Sequence, residues 1–285
     1  MTTKPIRTLL AAATLALPVA ALAEGDSPWL PIPGAFSLSL NHTEQSAENA
    51  YIGSTKLPVS AITGGAASKY KRATTNLRFG YGLSDSVSFD AAVGFGKVKV
   101  GAADSDRGRT DAVLGANWRV LDEFERPGVP TLTLRGAAIL KGDYDGDRLA
   151  ALGNAQNGVE LAVLLGKQIT PAFALWAEVG AQDRSGGVPT AVFFDLGARF
   201  RFAPQWSLSL GYSDKKYGGD LDIGGPGFTP ARFQDVRAER SVARLGVGYA
   251  IAANHGLALN VASVLSGRNT VRDDQVVGLS YTVGF

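Results

Sequence analysis

The chain has 285 residues, among them 35 glycines, two histidines and no cysteine, and its basic and acidic residues nearly balance. The missing cysteines exclude a disulfide framework and a thiolate metal site, and two histidines cannot build a three-histidine zinc site. The small positive surplus lies in the first 23 residues, so the remainder is neutral, which argues against nucleic acid as a partner.

The first predicted element, residues 1–23, is typical of a secretory signal peptide. Lys4 and Arg7 form a positive start, a short apolar stretch follows, and Ala21-Leu22-Ala23 fits the small-x-small cleavage rule. The apolar stretch is too short to span the roughly 30 Å of hydrocarbon in a bilayer. We therefore expect cleavage near Ala23 and a single domain over residues 24–285.

The rest of the chain alternates between apolar and small or polar residues. In residues 87–95, for example, Val87, Phe89, Val93 and Phe95 share one face. A period of two predicts β-strands with one apolar face, and no window approaches the length of a spanning helix. Twelve such stretches lie near residues 35–43, 69–82, 86–99, 109–120, 131–141, 157–168, 172–182, 190–202, 206–216, 239–251, 256–266 and 275–285.

The connections between these stretches alternate between short and long. Those after the even-numbered stretches are short or moderate, whereas those after the odd-numbered stretches are longer and rich in Gly, Asp, Ser and Lys, the largest being 44–68 and 217–238. Tight turns on one side and long loops on the other are typical of outer-membrane barrels, which must close because an open edge would leave backbone groups unpaired in lipid. The sequence thus predicts an all-β fold, a transmembrane up-and-down antiparallel barrel of about twelve strands in a bacterial outer membrane. A soluble β-sandwich is the alternative.

Aromatic residues on the apolar face favour the barrel over the sandwich. They gather on the side of the short turns, as a girdle at a membrane interface would. The members of this predicted girdle are Phe79, Tyr81, Trp118, Phe173, Phe202, Trp206, Tyr249 and Phe285. The ending Tyr281-Thr-Val-Gly-Phe285 resembles the C-terminal signature that the barrel-insertion machinery recognises. We expect that machinery, outer-membrane lipid and lipopolysaccharide as partners.

The opposite face of the strands should line the interior. The residues predicted there are Arg72, Arg78, Asp90, Asn117, Arg119, Arg135, Glu160, Trp176, Glu178, Asp195, Arg199, Arg201, Arg240, Arg244 and Asn260. Interior charges need hydration or pairing, so they either line a narrow aqueous passage or form ion pairs that plug the barrel. The frequent small interior residues favour some open space, and the sequence leaves both alternatives standing.

Two features of the long loops have alternative interpretations. Asp143, Asp145 and Asp147 alternate as at the start of a calcium loop, but Arg148 stands where the motif needs glycine, so a solvated turn is the simpler interpretation. Four lysines near the external strand ends could pair with lipid phosphates or simply be hydrated. These lysines are Lys97, Lys99, Lys215 and Lys216.

Catalysis has little support in the sequence. A lipase-type site needs a hydroxyl, a histidine base and an orienting polar group at the membrane rim, and only His42, beside Asn41, Thr43 and Glu44, is placed to serve as that base. The chain contains neither a G-x-S-x-G elbow nor an H-E-x-x-H motif. We therefore expect no enzyme, no metal and no cofactor, with an outer-leaflet lipid hydrolase as a minor alternative.

Three segments resemble an outer-membrane family associated with the meta-cleavage pathway of phenol degradation. They are Leu77-Arg-Phe-Gly-Tyr-Gly-Leu-Ser-Asp85, Gly108-Arg-Thr-Asp111 with the strand up to Trp118-Arg, and the leucine-rich stretch from Leu134 to Asp143. The family's usual Pro-Thr-Gly before the following loop is Leu140-Lys-Gly142 here. The resemblance implies a barrel suspected of moving aromatic or other small apolar compounds, and it carries no catalytic residues.

Taken together, the sequence predicts a barrel that lets small solutes cross passively. Arg78, Arg119, Arg135, Arg199 and Arg244 would face the solute, with Glu178 and Asp195 as counter-charges on neighbouring strands. The alternative of a different class is a closed structural or adhesion barrel that acts through loops 44–68 and 217–238.

Overall fold

The computed structural model describes residues 27–146, 148 and 150–285, so the predicted signal peptide lies outside the described residues. In chain order, the strands are β1 (Phe36–Ala47), β2 (Asn49–Ile52), β3 (Thr55–Pro58), β4 (Tyr70–Gly82), β5 (Val87–Val100), β6 (Asp104–Arg109), β7 (Ala112–Leu121), β8 (Thr131–Leu140), β9 (Gly158–Thr170), β10 (Phe173–Arg184), β11 (Ala191–Arg201), β12 (Trp206–Tyr217), β13 (Glu239–Ala252), β14 (His255–Arg268), β15 (Val271–Arg272) and β16 (Gln275–Gly284). A helix of four residues, α1 (Val59–Ile62), and a 3-10 helix (Pro230–Asp235) lie in two connections. Among the residues described, no helix has the length and apolar character needed to cross a membrane.

The wall strands form one closed antiparallel ring. Successive wall strands pair with one another, and β1 closes the ring by pairing with β16 over residues 37–46. β6 and β7 both pair with β5, so together they form one wall strand that is interrupted at Thr110 and Asp111. Counted this way the ring has twelve strands, which confirms the predicted all-β, twelve-stranded barrel and excludes the sandwich.

The two rims of the barrel differ as predicted. One rim, here called the turn end, carries the connections 83–86, 122–130, 171–172, 202–205 and 253–254. The other rim, the loop end, carries 48–69, 101–103, 141–157, 185–190, 218–238 and 269–274. The connection after the third predicted stretch is the exception, because residues 104–109 continue the wall as β6 and leave only 101–103 as a turn.

The largest connections at the loop end are folded together into a cap. β2, β3 and β15 form a small antiparallel sheet. Asn269 joins that sheet to the 218–238 connection: its side-chain oxygen accepts from the backbone N–H groups of Gly53 (2.7 Å) and Ile223 (3.2 Å). Its amide nitrogen donates to Asp222 and to the Arg237 carbonyl, both at 2.7 Å. One buried side chain thus ties three connections together.

The two faces of the wall have opposite chemistry. Large apolar side chains such as Leu161 (68% exposed), Leu279 (55%) and Val179 (56%) stand uncovered on one face, in strand after strand. Such a continuous apolar exterior is unfavourable in water but matches the outward band of a membrane barrel. The other face of each strand is buried in the interior, here called the lumen.

Candidate functional site

The lumen holds the buried charged residues of the barrel wall. Arg135, Glu178 and Asp195 are at most 5% exposed although each lies between apolar residues that face outward. Buried charges must be paired or hydrated, because each one removed from water alone costs several kcal/mol. The pairing of these groups therefore determines how much of the lumen is free to meet a solute.

Arg135 is the centre of an ion-pair cluster that spans β4 to β9. Its guanidinium donates to Asp90 Oδ2 at 3.1 Å and to Glu160 Oε1 at 3.2 Å. Asn117 donates to Asp90 Oδ1 at 3.0 Å, and Arg78 Nη2 lies 3.6 Å from Asp90 Oδ2. Two arginines and two carboxylates thus balance in one sector of the wall. The structure brings together five residues that the sequence placed on the interior face.

A second charged group lies on β10 to β13. Arg244 forms an ion pair with Asp195, and Glu178 stands directly opposite Asp195 on the neighbouring strand. The predicted proximity of these two carboxylates therefore matches the strand register. Arg244, Asp195 and Glu178 thus form a second charged sector of the lumen wall.

Some glycines of the lumen wall are covered by large neighbours. A Cβ atom on Gly115 would lie 2.4 Å from the Arg135 guanidinium, and one on Gly197 would lie 2.1 Å from the Trp176 ring. These glycines accommodate side chains that lie flat against the wall. At these positions the expectation that small residues leave open space is wrong, because the adjacent strand fills the space.

The segment that precedes β1 enters the turn end of the lumen. Trp29 Nε1 donates to Glu123 Oε1 at 2.9 Å, and the Trp29 ring meets the Trp176 ring edge-on, with centroids 6.5 Å apart. Pro28 is fully buried, and its carbonyl accepts from Thr133 Oγ1 at 2.7 Å. The segment is thus held by contacts to β8, β10 and the 122–130 turn.

Sequence reasoning missed this turn-end segment, residues 27–33. The signal that could have revealed it is Pro28-Trp29-Leu30-Pro31-Ile32-Pro33, which is too apolar for a solvated leader and has no strand periodicity. Glu123 was also missed, because it lies in a turn, where the strand pattern gives no signal. Its carboxylate also accepts from the Gln168 backbone N–H at 3.0 Å and lies 3.3 Å from Lys167 Nζ.

The loop end of the lumen is narrowed by an apolar cluster. Its buried members come from the rim strands and from the 48–69 and 141–157 connections: Ala47, Val59, Ala67, Tyr70, Val98, Val100, Ala150 and Leu152. Leu152 reaches over Gly96, and Arg72 donates to the Leu152 carbonyl at 2.7 Å. The 141–157 connection is thereby held inside the barrel mouth.

Tyr144 anchors the same connection to the interruption in the wall. Its hydroxyl donates to Asp111 Oδ1 at 2.5 Å, and Arg184 lies 2.6 Å from the other oxygen of that carboxylate. Burial, reinforced by the bond to Asp111, raises the pKa of Tyr144 well above its ordinary value. The hydroxyl therefore stays protonated and remains a donor.

The lumen wall also has an apolar patch that the sequence did not single out. Ala162, Leu164 and Phe193 are buried and pack together on β9 to β11. The strand register places Ala162 opposite Arg135 and Leu164 opposite Glu178. Apolar and charged surfaces thus alternate around the interior.

Three of the remaining predicted interior residues lie near the rims. At the loop end, Arg240 pairs with Asp273 at 2.6 Å. At the turn end, Arg119 pairs with Asp122 at 2.9 Å, and the exposed Arg201 donates to the Pro171 carbonyl at 2.6 Å. Arg199 and Asn260 lie on the interior faces of β11 and β14. The three arginines near the rims thus flank the central lumen, whereas Asn260 lies at mid-wall.

The predicted girdle residues lie on the wall near the turn end. Five of them are exposed and the others are partly buried; the exposed ones are Phe79, Trp118, Phe202, Trp206 and Phe285. Trp206 packs on Tyr249 with ring centroids 4.7 Å apart. Phe285 stacks on Phe36, also at 4.7 Å, and the backbones of these two residues are hydrogen-bonded to each other. Phe36, which the sequence analysis did not select, thus adds to this aromatic surface.

Neither minor alternative gains support from the geometry. His42 Nδ1 lies 2.8 Å from Thr75 Oγ1 on the outer wall, but Glu44 is 3.7 Å from Nε2, so no acid is hydrogen-bonded to the imidazole. Asp143 is engaged by Arg109 at 3.3 Å, and Asp147 lies outside the described residues. In the described portion of the chain, no group of three or more acidic or histidine side chains is arranged to hold a metal ion.

Comparisons with known proteins agree with the geometry. A family model described as "Putative MetA-pathway of phenol degradation" matches residues 47–278. The fold is similar to that of the COG4313 outer membrane channel from Pseudomonas putida F1, with a TM-score of 0.74, 20% identity, and coverage of 93% of this chain and 100% of that chain. It is also similar to the KdgM porin, with a TM-score of 0.52, 8% identity, and coverage of 87% and 99% of the two chains. No curated protein sequence matches significantly.

Proposed function

The chain belongs to the family described as "Putative MetA-pathway of phenol degradation", and from that premise we propose that it is a passive outer-membrane channel for small solutes. The solute would follow its own concentration gradient, and no cofactor takes part. The observation that carries the proposal is the lumen itself. A closed wall surrounds buried arginines, carboxylates and an apolar patch, and a barrel that served only as a membrane anchor would have no need of this mixture.

The chemistry of the lumen favours solutes that are apolar with a polar group. Leu164 and Phe193 offer an apolar surface, and the strand register places Glu178 and Arg135 beside it. Small aromatic compounds with a hydroxyl or a carboxylate combine both features. The similarity to an outer membrane channel from Pseudomonas putida F1 is consistent with this class of function.

The orientation follows from the two rims. The loop end would face the exterior and the turn end the periplasm, as in other barrels with short turns and long loops. Signal-peptide cleavage near Ala23 would precede insertion, and Phe285 would be read by the insertion machinery. Outer-membrane lipid and lipopolysaccharide would contact the apolar wall.

Flux into liposomes tests the proposal. Vesicles that contain the purified full-length chain should swell in small phenols and aromatic acids faster than empty vesicles. Replacing Leu164 and Phe193 with serine should lower the flux of the aromatic solutes more than that of a sugar of similar size. Equal flux in protein-containing and empty vesicles for every solute would exclude a channel.

The loop cap favours one second candidate, an adhesion barrel. The hydrogen bonds of Asn269 and the ion pair between Arg268 and Asp222 give the cap a defined surface. Deletion of residues 218–238 would then abolish attachment and leave solute flux unchanged, whereas the channel proposal expects a change in flux.

A further inference from the structure

Basic side chains crowd one sector of the outer wall at the loop end. Lys71, Lys97, Lys99 and Arg107 are exposed on the lipid side of β4, β5 and β6, and their side chains make no ion pair with any described residue. They share the outward face with Phe95, which is 66% exposed. This set of four is called the basic outer patch below.

The strand register brings these like charges face to face. Lys71 stands directly opposite Lys99, and Lys97 stands directly opposite Arg107. Directly opposed residues have Cβ atoms about 5 Å apart, and like charges in that arrangement destabilise a sheet. An anion that lies between two adjacent pairs of this kind would relieve the repulsion.

The nearby acids do not supply that anion. Asp143 is engaged by Arg109, Glu44 lies beside His42, and Asp104 pairs with Arg148. Asp104 and Asp106 also alternate with Ser105 and Arg107 along β6, which places the two acids on the interior face. The basic outer patch therefore keeps its positive charge.

The opposite sector of the rim is balanced in contrast. Lys216 on β12 lies 3.2 Å from Asp214 and stands opposite Glu239. Lys215, which the sequence could not distinguish from Lys97, donates to Gln182 at 2.6 Å on the interior side. The unbalanced charge of the β4 to β6 sector thus contrasts with the paired charges on β12.

A groove lies at the edge of the basic outer patch that faces the turn end. Its volume is about 510 Å³, and its lining includes His42, Thr75, Phe95, Lys97 and Arg107. Phe95 precedes Lys97 by two residues on the same face, and Leu77 and Val93 continue the apolar wall below it. The groove therefore joins a cationic rim to a surface that acyl chains can cover.

We propose that the basic outer patch binds a phosphate of a phosphorylated glycolipid of the outer leaflet, that is, of lipopolysaccharide. Lys97 and Arg107 contact the phosphate, Lys71 and Lys99 add charge, and the acyl chains lie against Leu77, Val93 and Phe95. Arginine suits this task because its planar guanidinium can hold two phosphate oxygens. The inference rests on the outer-membrane location in the proposed function, but not on solute passage.

Binding of bisphosphorylated lipid A to the full-length chain in mild detergent tests the site. The K97Q/R107Q double variant should bind about five-fold more weakly, since two exposed charge contacts are lost. The matched control K216Q should bind like the wild type, and K97R/R107K should retain binding. Lipid A without phosphates should bind the wild type as weakly as the double variant binds the bisphosphorylated lipid.

Two results would overturn the assignment. One is equal lipid A affinity in K97Q/R107Q and K216Q when both variants show an intact barrel by circular dichroism. The other is displacement of the lipid by millimolar inorganic phosphate, which would indicate a site for the free anion. Conductance recorded on the same samples separates the lipid site from solute passage. Weak lipid A binding by a wild-type protein that conducts normally refutes only the lipid site. A wild-type protein that binds lipid A well but does not conduct refutes only solute passage.

Discussion

Releasing the turn-end segment should open the barrel, and Trp29→Ala is the sharpest way to release it. The substitution removes the indole hydrogen bond to Glu123 and the edge contact with Trp176. A hydrogen bond to a charged group contributes about 1.5–3 kcal/mol, and an aromatic pair contributes about 0.5–1.5 kcal/mol. Glu123 keeps its bonds from the Gln168 backbone, so no buried carboxylate is left without a donor.

The loss of about 2–4.5 kcal/mol should raise the undocked population of the segment by about 30-fold to 1,600-fold. Single-channel recording in planar bilayers should then show longer or larger openings. Trp29→Phe keeps the ring contact and should lie between the wild type and Trp29→Ala. Trp118→Ala, which removes an exposed tryptophan of the outer wall, should behave like the wild type.

Hydrogen exchange of residues 27–33 shows independently whether the segment has been released. Faster exchange in Trp29→Ala together with unchanged conductance would refute the reasoning, because the segment would then be free while passage stayed the same. Faster exchange with increased conductance is the expected result.

Four further predictions concern the lumen charges and the loop cap. Arg135→Met should lower the free energy of unfolding, measured in urea, by about 3–5 kcal/mol, because Asp90 and Glu160 lose a buried partner. Arg135→Lys should recover part of that loss. An unchanged free energy of unfolding in Arg135→Met would contradict the role of the ion-pair cluster. Arg244→Gln should shift the reversal potential in a salt gradient toward cation selectivity, since it removes one positive charge from the lumen beside Asp195 and Glu178. Arg201→Gln at the exposed rim should shift the reversal potential less; equal shifts would argue against a central role of Arg244. Asn269→Ala should make residues 218–238 more sensitive to protease, because four hydrogen bonds of about 0.5–1.5 kcal/mol each are lost. Equal cleavage rates in the variant and the wild type would show that other contacts hold the cap. Hydrogen bonds from Arg268 and Asn269 lower the pKa of Asp222. The Asp222 carboxylate should therefore stabilise the cap fully above its ordinary pKa of about 3.9, and this stabilisation should be lost as the pH falls through the lower pKa of the folded state. The rate of protease cleavage of the cap, compared between pH 7 and pH 3, measures the effect, and faster cleavage at pH 7 than at pH 3 would contradict it.

Most of the wall could be predicted from the sequence because lipid imposes a strict rule on it. Residues that face hydrocarbon must be apolar and residues that face the lumen need not be, so a period of two survives in nearly every wall strand. β6 was not predicted as a strand because its sequence, Asp104-Ser-Asp-Arg-Gly-Arg109, has no apolar face. Above the apolar belt, a barrel strand is held by its neighbours' backbones and needs no apolar pattern.

The filling of the lumen could not be predicted in the same way. The path of residues 27–33 into the barrel depends on contacts with Glu123 and Trp176, which are far away in the sequence. Small interior residues were expected to leave open space, but Gly115 and Gly197 are each covered by a side chain from the next strand. Such contacts depend on register across strands, which alternation along a single strand does not encode.

The central claim, passage through the lumen past the turn-end segment, can be tested most directly by locking that segment. A Cβ atom on Gly166 would lie 2.4 Å from Pro28 Cγ, so cysteines at positions 28 and 166 are close enough to be joined by a disulfide. Because the chain has no cysteine of its own, the Pro28→Cys/Gly166→Cys variant can form only this disulfide within one chain. The measurement is the swelling rate of liposomes that contain this variant in a small phenol, before and after addition of a reductant. We predict slow entry when the lock is oxidised and recovery to the wild-type rate on reduction, with no effect of the reductant on the wild type. The same rate in the locked and the reduced states would contradict the account.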